Sequence, residues 1–268
     1  MKHLQAKAVI VIGLIGLLVG IASAQTNKAS VQQVPFVSGE TLTYEGKISK
    51  IIRGIAVADL TFTLLKDPKS EDYLVKAEAR SKGTLSKLFR FSFLQEVESS
   101  IDSDTFRAMR TVKHDVQKER IRNSEALFDY ADRRVTYVET DPNEPMRPPR
   151  RIASKIGDVS HDLISSIYSV RMMPLAVGKT FRMSVSDSGL VFDIPVRVTA
   201  REIQKTIFGK QWCFRIEPEI FGPGRMIERE GSMIIWMTDD HRRLPVRSVV
   251  NSPYGKIDVR LKSAKNLR

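Results

Sequence analysis

The residues best equipped for chemistry stand together at 239–243, where Asp239, Asp240, His241, Arg242 and Arg243 follow one another. Two carboxylates beside an imidazole could form an acid–base pair, a metal site, or simply the charged turn of a hairpin. Acid–base work needs one carboxylate protonated and one ionised, and adjacent carboxylates in a solvated turn do not supply that difference. The flanking residues favour the turn. Ile234, Trp236 and Thr238 alternate with Ile235 and Met237, and Leu244, Val246 and Ser248 alternate with Pro245 and Arg247. Strands are therefore predicted on both sides, and aspartates at a hairpin apex cap local backbone N–H groups.

The other reactive side chains lack a chemical spacing. His114 closes a strand pattern, His161 stands near the start of a helical one, and Cys213 lies between Trp212 and Phe214, where a buried structural thiol is expected. The sequence contains no H-E-x-x-H motif, cysteine pair, EF-hand loop, G-x-S-x-G elbow, Walker loop or dinucleotide-binding glycine pattern. No catalytic residue, metal set or cofactor is assigned, and the reading leans away from an enzyme.

The N-terminus indicates where the protein works. Lys2 and Lys7 precede an apolar run from Ala8 to Ile21 that closes on Ala22-Ser23-Ala24, the pattern of a secretory signal cleaved after Ala24. That run is shorter than the ~20 residues a spanning helix needs, and no later stretch supplies a transmembrane segment. Residue 25 is glutamine and Cys213 is the single cysteine, so neither a lipoprotein anchor nor an internal disulfide is expected. The mature chain reads as soluble, exported and most simply periplasmic. Removing Lys2 and Lys7 lowers the formal net charge of +12 by only two. In an exported chain that excess points to anionic envelope material rather than nucleic acid, although a basic surface also serves solubility.

The elements that must position these residues are mostly strands. Residues 25–34 read as a flexible leader. From Glu40 a period of two runs through Leu42 and Tyr44, then through Ala56, Ala58, Leu60, Phe62 and Leu64. It returns at 73–80, 95–101, 106–114, 120–129 and 135–140, and again at 179–186, 190–200, 211–217, 232–238, 244–251 and 256–263, with turn formers between. Residues 84–95, rich in leucine and phenylalanine, are expected to be a fully buried strand or a helix-to-strand transition; an apolar rim against lipid is the functional alternative. Residues 141–151 contain four prolines and three arginines and form an extended connection. One helix is predicted around 158–173, capped by Asp158, with Val159, Leu163, Ile167 and Val170 as its apolar stripe. The fold class is thus all-β and predominantly antiparallel: a large, strongly curved sheet, incomplete barrel or sandwich carrying one amphipathic helix. It forms a single β-rich domain over 35–268, or two lobes at 35–140 and 155–268.

Four segments carry a resemblance. "IIWMTDDHRRLPVRSVVNSPYGKIDVRL", with Trp236, Asp239, Asp240, Arg242, Arg243, Leu244, Pro245 and Gly255, resembles the C-terminal signature of the exported bacterial family of unknown function numbered 3108. "PFVSGETLTYEGKI", with Gly39, Glu40 and Tyr44, looks like that family's opening, and "VESSIDSDTFRAMR" and "LAVGKTFRM" are similar to its middle. The resemblance implies a periplasmic, β-rich protein and carries over no catalytic residue.

Three functions remain open at this level. The first is a binding or carrier module for an apolar or anionic envelope molecule such as lipid, with Leu163, Ile167, Val170, Phe89, Phe91, Arg147, Arg150 and Arg151 as ligand-contact candidates. The second is an envelope hydrolase acting on glycan or ester through Asp239, Asp240, His241 and Glu230. The third is an adaptor that binds another envelope protein along a strand edge.

Overall fold

The computed structural model describes residues 34–49, 54–253 and 255–268. The signal segment 1–24 and the leader up to residue 33 lie outside the described residues. The chain opens with β1 (Thr41–Ser49), β2 (Ile55–Lys66) and β3 (Tyr73–Ser81), then a short helix, α1 (Gly83–Phe89). There follow β4 (Phe93–Ile101), β5 (Ala108–Gln117), β6 (Arg120–Asp129), β7 (Arg134–Thr140) and β8 (Arg150–Lys155). After α2 (Leu163–Met172) come β9 (Thr180–Asp187), β10 (Leu190–Thr206), β11 (Gly209–Pro218), β12 (Ser232–Thr238), β13 (Pro245–Ser252) and β14 (Gly255–Lys265).

All of these strands join one 14-stranded antiparallel sheet, ordered β8-β7-β6-β5-β4-β3-β2-β1-β14-β13-β12-β11-β10-β9. Two meanders therefore meet where β1 pairs with β14, and the sheet stays open between its edge strands β8 and β9. The edges nonetheless approach each other: Ser154 on β8 donates to the Gly189 carbonyl in the β9–β10 turn, at 2.6 Å. Gly189 holds φ at +81°, and a Cβ there would lie 2.6 Å from that of Tyr137 and 2.9 Å from that of Ile152. Glycine is required both by the backbone and by the close approach.

Register sets the core. Leu42, Tyr44 and Gly46 stand opposite Phe62, Leu60 and Ala58, so the period-two pattern of the sequence becomes one continuous apolar face. Phe36 sits among Tyr73, Phe106 and Tyr168 in edge-to-face contacts at 5.6, 5.7 and 5.3 Å, packed with Leu64, Val75 and Ile101. Each such aromatic pair contributes about 0.5–1.5 kcal/mol beyond its buried area.

The structure decides between two alternatives at 84–95 and adds one strand that the sequence does not announce. The segment 84–95 is not a doubly buried strand; it is α1 followed by the start of β4, the helix-to-strand alternative. The strand β8 was missed, because the prolines at 142, 145, 148 and 149 masked a short edge strand beginning at Arg150.

The second helix lies where expected but begins later and buries another face. Asp162, not Asp158, is its N-cap: its side chain accepts from the Ser165 N–H while Ser165 accepts from the Asp162 N–H, a reciprocal capping box. Asp158 cannot serve, because the chain just after it is held extended, His161 bridging to Val185 on β9. The intended stripe is half outside, with Val159 45% and Leu163 44% exposed, whereas Ser165, Tyr168, Ser169 and Arg171 are buried.

Candidate functional site

The 239–243 cluster is the turn its flanks predict. The Asp240 carboxylate accepts from the backbone N–H groups of Arg242 and Arg243 at 3.0 and 3.2 Å, from the Thr238 hydroxyl at 2.8 Å, and from the Arg242 guanidinium at 2.6 Å. Burial pushes the Asp240 carboxyl upward, but the bonds from Arg242 and Thr238 outweigh it and hold the group below the usual carboxylate range. Asp239 is occupied by Arg201 at 2.6 Å and Arg243 at 3.2 Å. His241 approaches the Arg268 carbonyl at 3.2 Å, His114 contacts Asn123 at 2.6 Å on β5, and His161 is buried at the start of α2, so the three do not converge. Among the described residues no group of three or more His, Cys, Asp or Glu is arranged to hold a metal.

The turn contributes elsewhere, through its backbone. Arg171, near the end of α2, reaches the sheet as a fully buried cation and pairs with Glu40 through Nη1–Oε1 at 2.5 Å and Nη2–Oε2 at 2.8 Å, both side chains 0% exposed. It also donates to the Arg242 carbonyl at 3.1 Å and the Pro35 carbonyl at 3.3 Å. Its guanidinium lies 4.9 Å from the Phe36 ring centre and 5.3 Å from that of Tyr168. Tyr44 donates to the Pro245 carbonyl at 2.9 Å. Burial drives the hydroxyls of Tyr44 and Tyr168 well above their ordinary range, so both stay protonated. Two of the motifs that carried the family resemblance thus meet around one buried guanidinium: Glu40 of the first and the Arg242 carbonyl of the second accept from Arg171, and beside them Tyr44 of the first donates to the Pro245 carbonyl of the second.

A concave cleft of about 90 Å³ lies at the other end of α2. Its wall is two adjacent cross-strand rows of the sheet: Val97, Lys113 and Ser124, then Thr111, Ala126 and Tyr137. Leu163 and Ile164 cover it, and Asp162 and Ser186–Ser188 form the rim. Asp162 is engaged with Thr111 and the helix cap. Lys113 is half-buried and has no ion-pair or hydrogen-bond partner among the described residues. An unpaired ammonium in a mostly apolar recess is costly to desolvate, so an anionic or strongly accepting group placed there would be stabilised.

The ligand-contact candidates separate. Leu163 lines the cleft, Ile167 is half-buried, and Val170 packs on the cluster around Met183, Val196 and Phe214. Arg150 stands opposite Glu139, itself opposite Ser124, so it shares the face and row of Lys113; Arg151, its neighbour, points to the other face. Arg147 pairs with Glu144 at 3.3 Å in the exposed connection. Phe91 meets Phe93 with ring centres 6.2 Å apart, and Phe89 is the last residue of α1. Sequence reasoning missed Lys113 and Arg171. The available signal was weak: a lysine between Thr111 and Asp115 in the strand's alternation, and an arginine in the last turn of an otherwise uncharged helix.

Fold and site together define a barrel-like protein, an open antiparallel sheet whose two arms are bridged by a helix that packs on β3, β4 and β9. The chain belongs to the family described as protein of unknown function (DUF3108), which matches residues 41–262. Among solved structures, a β-barrel-like protein of domain of unknown function DUF1849 from Brucella abortus is similar at TM-score 0.61 and 10% identity, covering 87% of this chain and 99% of that one. That likeness concerns the fold alone. A DUF1089 family protein from Pseudomonas aeruginosa aligns at TM-score 0.33 and 10% identity, over 82% of this chain and 95% of its own. No curated protein matches the sequence.

Proposed function

We propose that this protein is a non-enzymatic binding or carrier module of the bacterial envelope, and that the cleft beside Lys113 takes the anionic head group of an envelope amphiphile. In this reading residues 35–268 act as one domain, exported to the periplasm after cleavage behind Ala24. The supporting observation is the unpaired Lys113 ammonium set between apolar walls (Val97, Ala126, Leu163), with the Ser124 and Tyr137 hydroxyls beside it, the latter already donating to Glu139 at 2.7 Å. Apolar lining with a few convergent polar groups is the usual character of a ligand site. At about 90 Å³ the recess is well below the ~300 Å³ of drug-sized pockets. It suits a head group rather than a whole acyl chain.

The hydrolase alternative needs one carboxyl raised and one ionised, but the bonds from Arg242 and Thr238 hold Asp240 below the usual carboxylate range, and Asp239 is occupied by ion pairs to Arg201 and Arg243. The adaptor alternative is supported by one feature, the edge strand β8, which pairs only with β7 and exposes Arg150 and Arg151. The test is native mass spectrometry, followed by organic extraction, of wild type and Lys113→Glu purified from the exported fraction of the native host. A stoichiometric anionic amphiphile on wild type and its loss from the variant are the expected results. A clean apo mass for wild type, or an adduct equally abundant on Lys113→Glu, would overturn the proposal.

A further inference from the structure

The β10–β11 hairpin outreaches its neighbours. β9 pairs with β10 only from Leu190 to Arg197, and β12 pairs with β11 only from Cys213 to Ile216. Beyond Trp212, whose carbonyl still accepts from the Asp239 N–H at 2.8 Å, the hairpin is therefore a two-stranded ribbon. Its back is anchored: Glu202 accepts from the Trp236 indole, Gln204 accepts from Arg247 at 3.3 Å, and Cys213 is fully buried. The other face carries Arg201, Ile203 and Lys205 on β10, with Lys210 and Trp212 on β11, since Ile203 stands opposite Trp212 and Lys205 opposite Lys210.

That second face is open to solvent. Ile203 is 50% exposed, Trp212 47%, and Ile207 at the tip 43%. Isolated exposed apolar residues need no explanation, but three on one ribbon form a patch. The charges around the patch have one sign. Lys205 and Lys210 have no ion-pair partner among the described residues. The nearby carboxylate, Asp239, is already held by Arg201 and Arg243, and the Arg201 guanidinium lies 4.3 Å from the Trp212 ring centre. An indole with aliphatic neighbours, ringed by lysines whose stems can lie along an apolar surface, matches the chemistry of a membrane–water interface.

We infer that the open face of the β10–β11 ribbon docks this protein on an anionic lipid surface. Ile203, Ile207 and Trp212 enter the head-group layer, while Lys205 and Lys210 meet lipid phosphates. The charge complementarity agrees with the formal net charge of +12. The inference does not depend on the Lys113 cleft, whose wall is built on β4, β5, β6 and β7.

The experiment uses the mature protein with vesicles of phosphatidylcholine alone and of phosphatidylcholine mixed with phosphatidylglycerol, read by co-sedimentation and tryptophan emission. The chain has two tryptophans, and Trp236 is only 7% exposed, so an emission shift reports Trp212. Co-sedimentation and a blue shift are expected with the anionic vesicles. Replacing Lys205 and Lys210 by glutamate should weaken binding by at least roughly twenty-five-fold, about five-fold for each lysine removed. Ile203→Ser with Ile207→Ser should abolish the blue shift while urea unfolding stays unchanged. The inference is overturned if the anionic vesicles leave the protein in the supernatant, or if neither double variant weakens binding. Self-association that the same variants remove, without vesicle binding, would also overturn it in favour of a protein contact.

Discussion

Replacing Arg171 by methionine should destabilise the protein by about 3–5 kcal/mol, the cost of removing one partner from a fully buried ion pair. The structure supports that range. Arg171 and Glu40 are both 0% exposed, so solvent does not screen their interaction, and two further backbone carbonyls, of Pro35 and Arg242, lose their donor. With a urea m value of about 2–3 kcal/mol per molar, the unfolding midpoint should fall by about 1–2.5 M. Glu40→Gln should cost a comparable amount, because it leaves the guanidinium buried against a neutral amide. The double variant Glu40→Leu with Arg171→Met removes both charges together. It should recover most of the loss, giving a coupling energy above about 2 kcal/mol. The assay is urea unfolding followed by circular dichroism and tryptophan emission. The exposed pair Arg182–Asp193, at 2.6 Å with both side chains 59% exposed, is the control: Arg182→Met should leave the midpoint in place. An Arg171→Met midpoint within about 0.3 M of wild type, or strictly additive single effects, would refute the claim that this pair anchors α2.

Three further predictions follow from burial. His161 is 4% exposed and its Nδ1 has no protein partner; burial lowers its pKa against the opposing pull of Asp162 and the Phe106 backbone. A folded pKa below the unfolded value of about 6.5 means that stability is fully present above that pH and is lost as pH falls toward the folded value. Urea midpoints should therefore drop between pH 7 and pH 5.5, by at most about 1.4 kcal/mol per pH unit for one proton, and His161→Gln should flatten the profile; identical profiles would refute this. Gly189→Ala, with φ at +81° and its Cβ against Tyr137 and Ile152, should cost at least about 1–3 kcal/mol by thermal or urea unfolding. A neutral result would mean that the two edges are not in contact in solution. Burial pushes the Cys213 thiol up to about 12 and leaves it 0% exposed, so a thiol reagent at neutral pH should label it only as fast as the protein unfolds. Rapid labelling in native buffer would contradict that burial.

The candidate cleft was partly legible. Leu163 was named from its helical spacing, and it covers the cleft; Arg150 was named from its proline-rich setting, and it lies on the same face of the sheet as Lys113. The sequence does not single out Lys113, because a lysine in a strand usually faces water, and parity alone does not tell which face of β5 is concave. Asp162 was missed as the helix cap because Asp158 offers the same chemistry at a similar distance from the apolar run. Only the bridge from His161 to β9 rules the earlier position out.

What the sequence determined by itself is local. Alternation at period two sets the strands, turn formers set their ends, and Asx chemistry makes 239–243 a hairpin apex, because each depends on neighbours a few residues apart. The tertiary structure alone decided which helix face is buried. Ser165, Tyr168, Ser169 and Arg171 form a polar face that helical periodicity assigns to water. It is interior because Glu40, 131 residues away, neutralises Arg171, and because the β1–β14 pairing brings the N-terminal motif and the 239–243 turn to the same place. Compensation of a buried charge is a property of the assembled sheet, and no spacing within the helix encodes it.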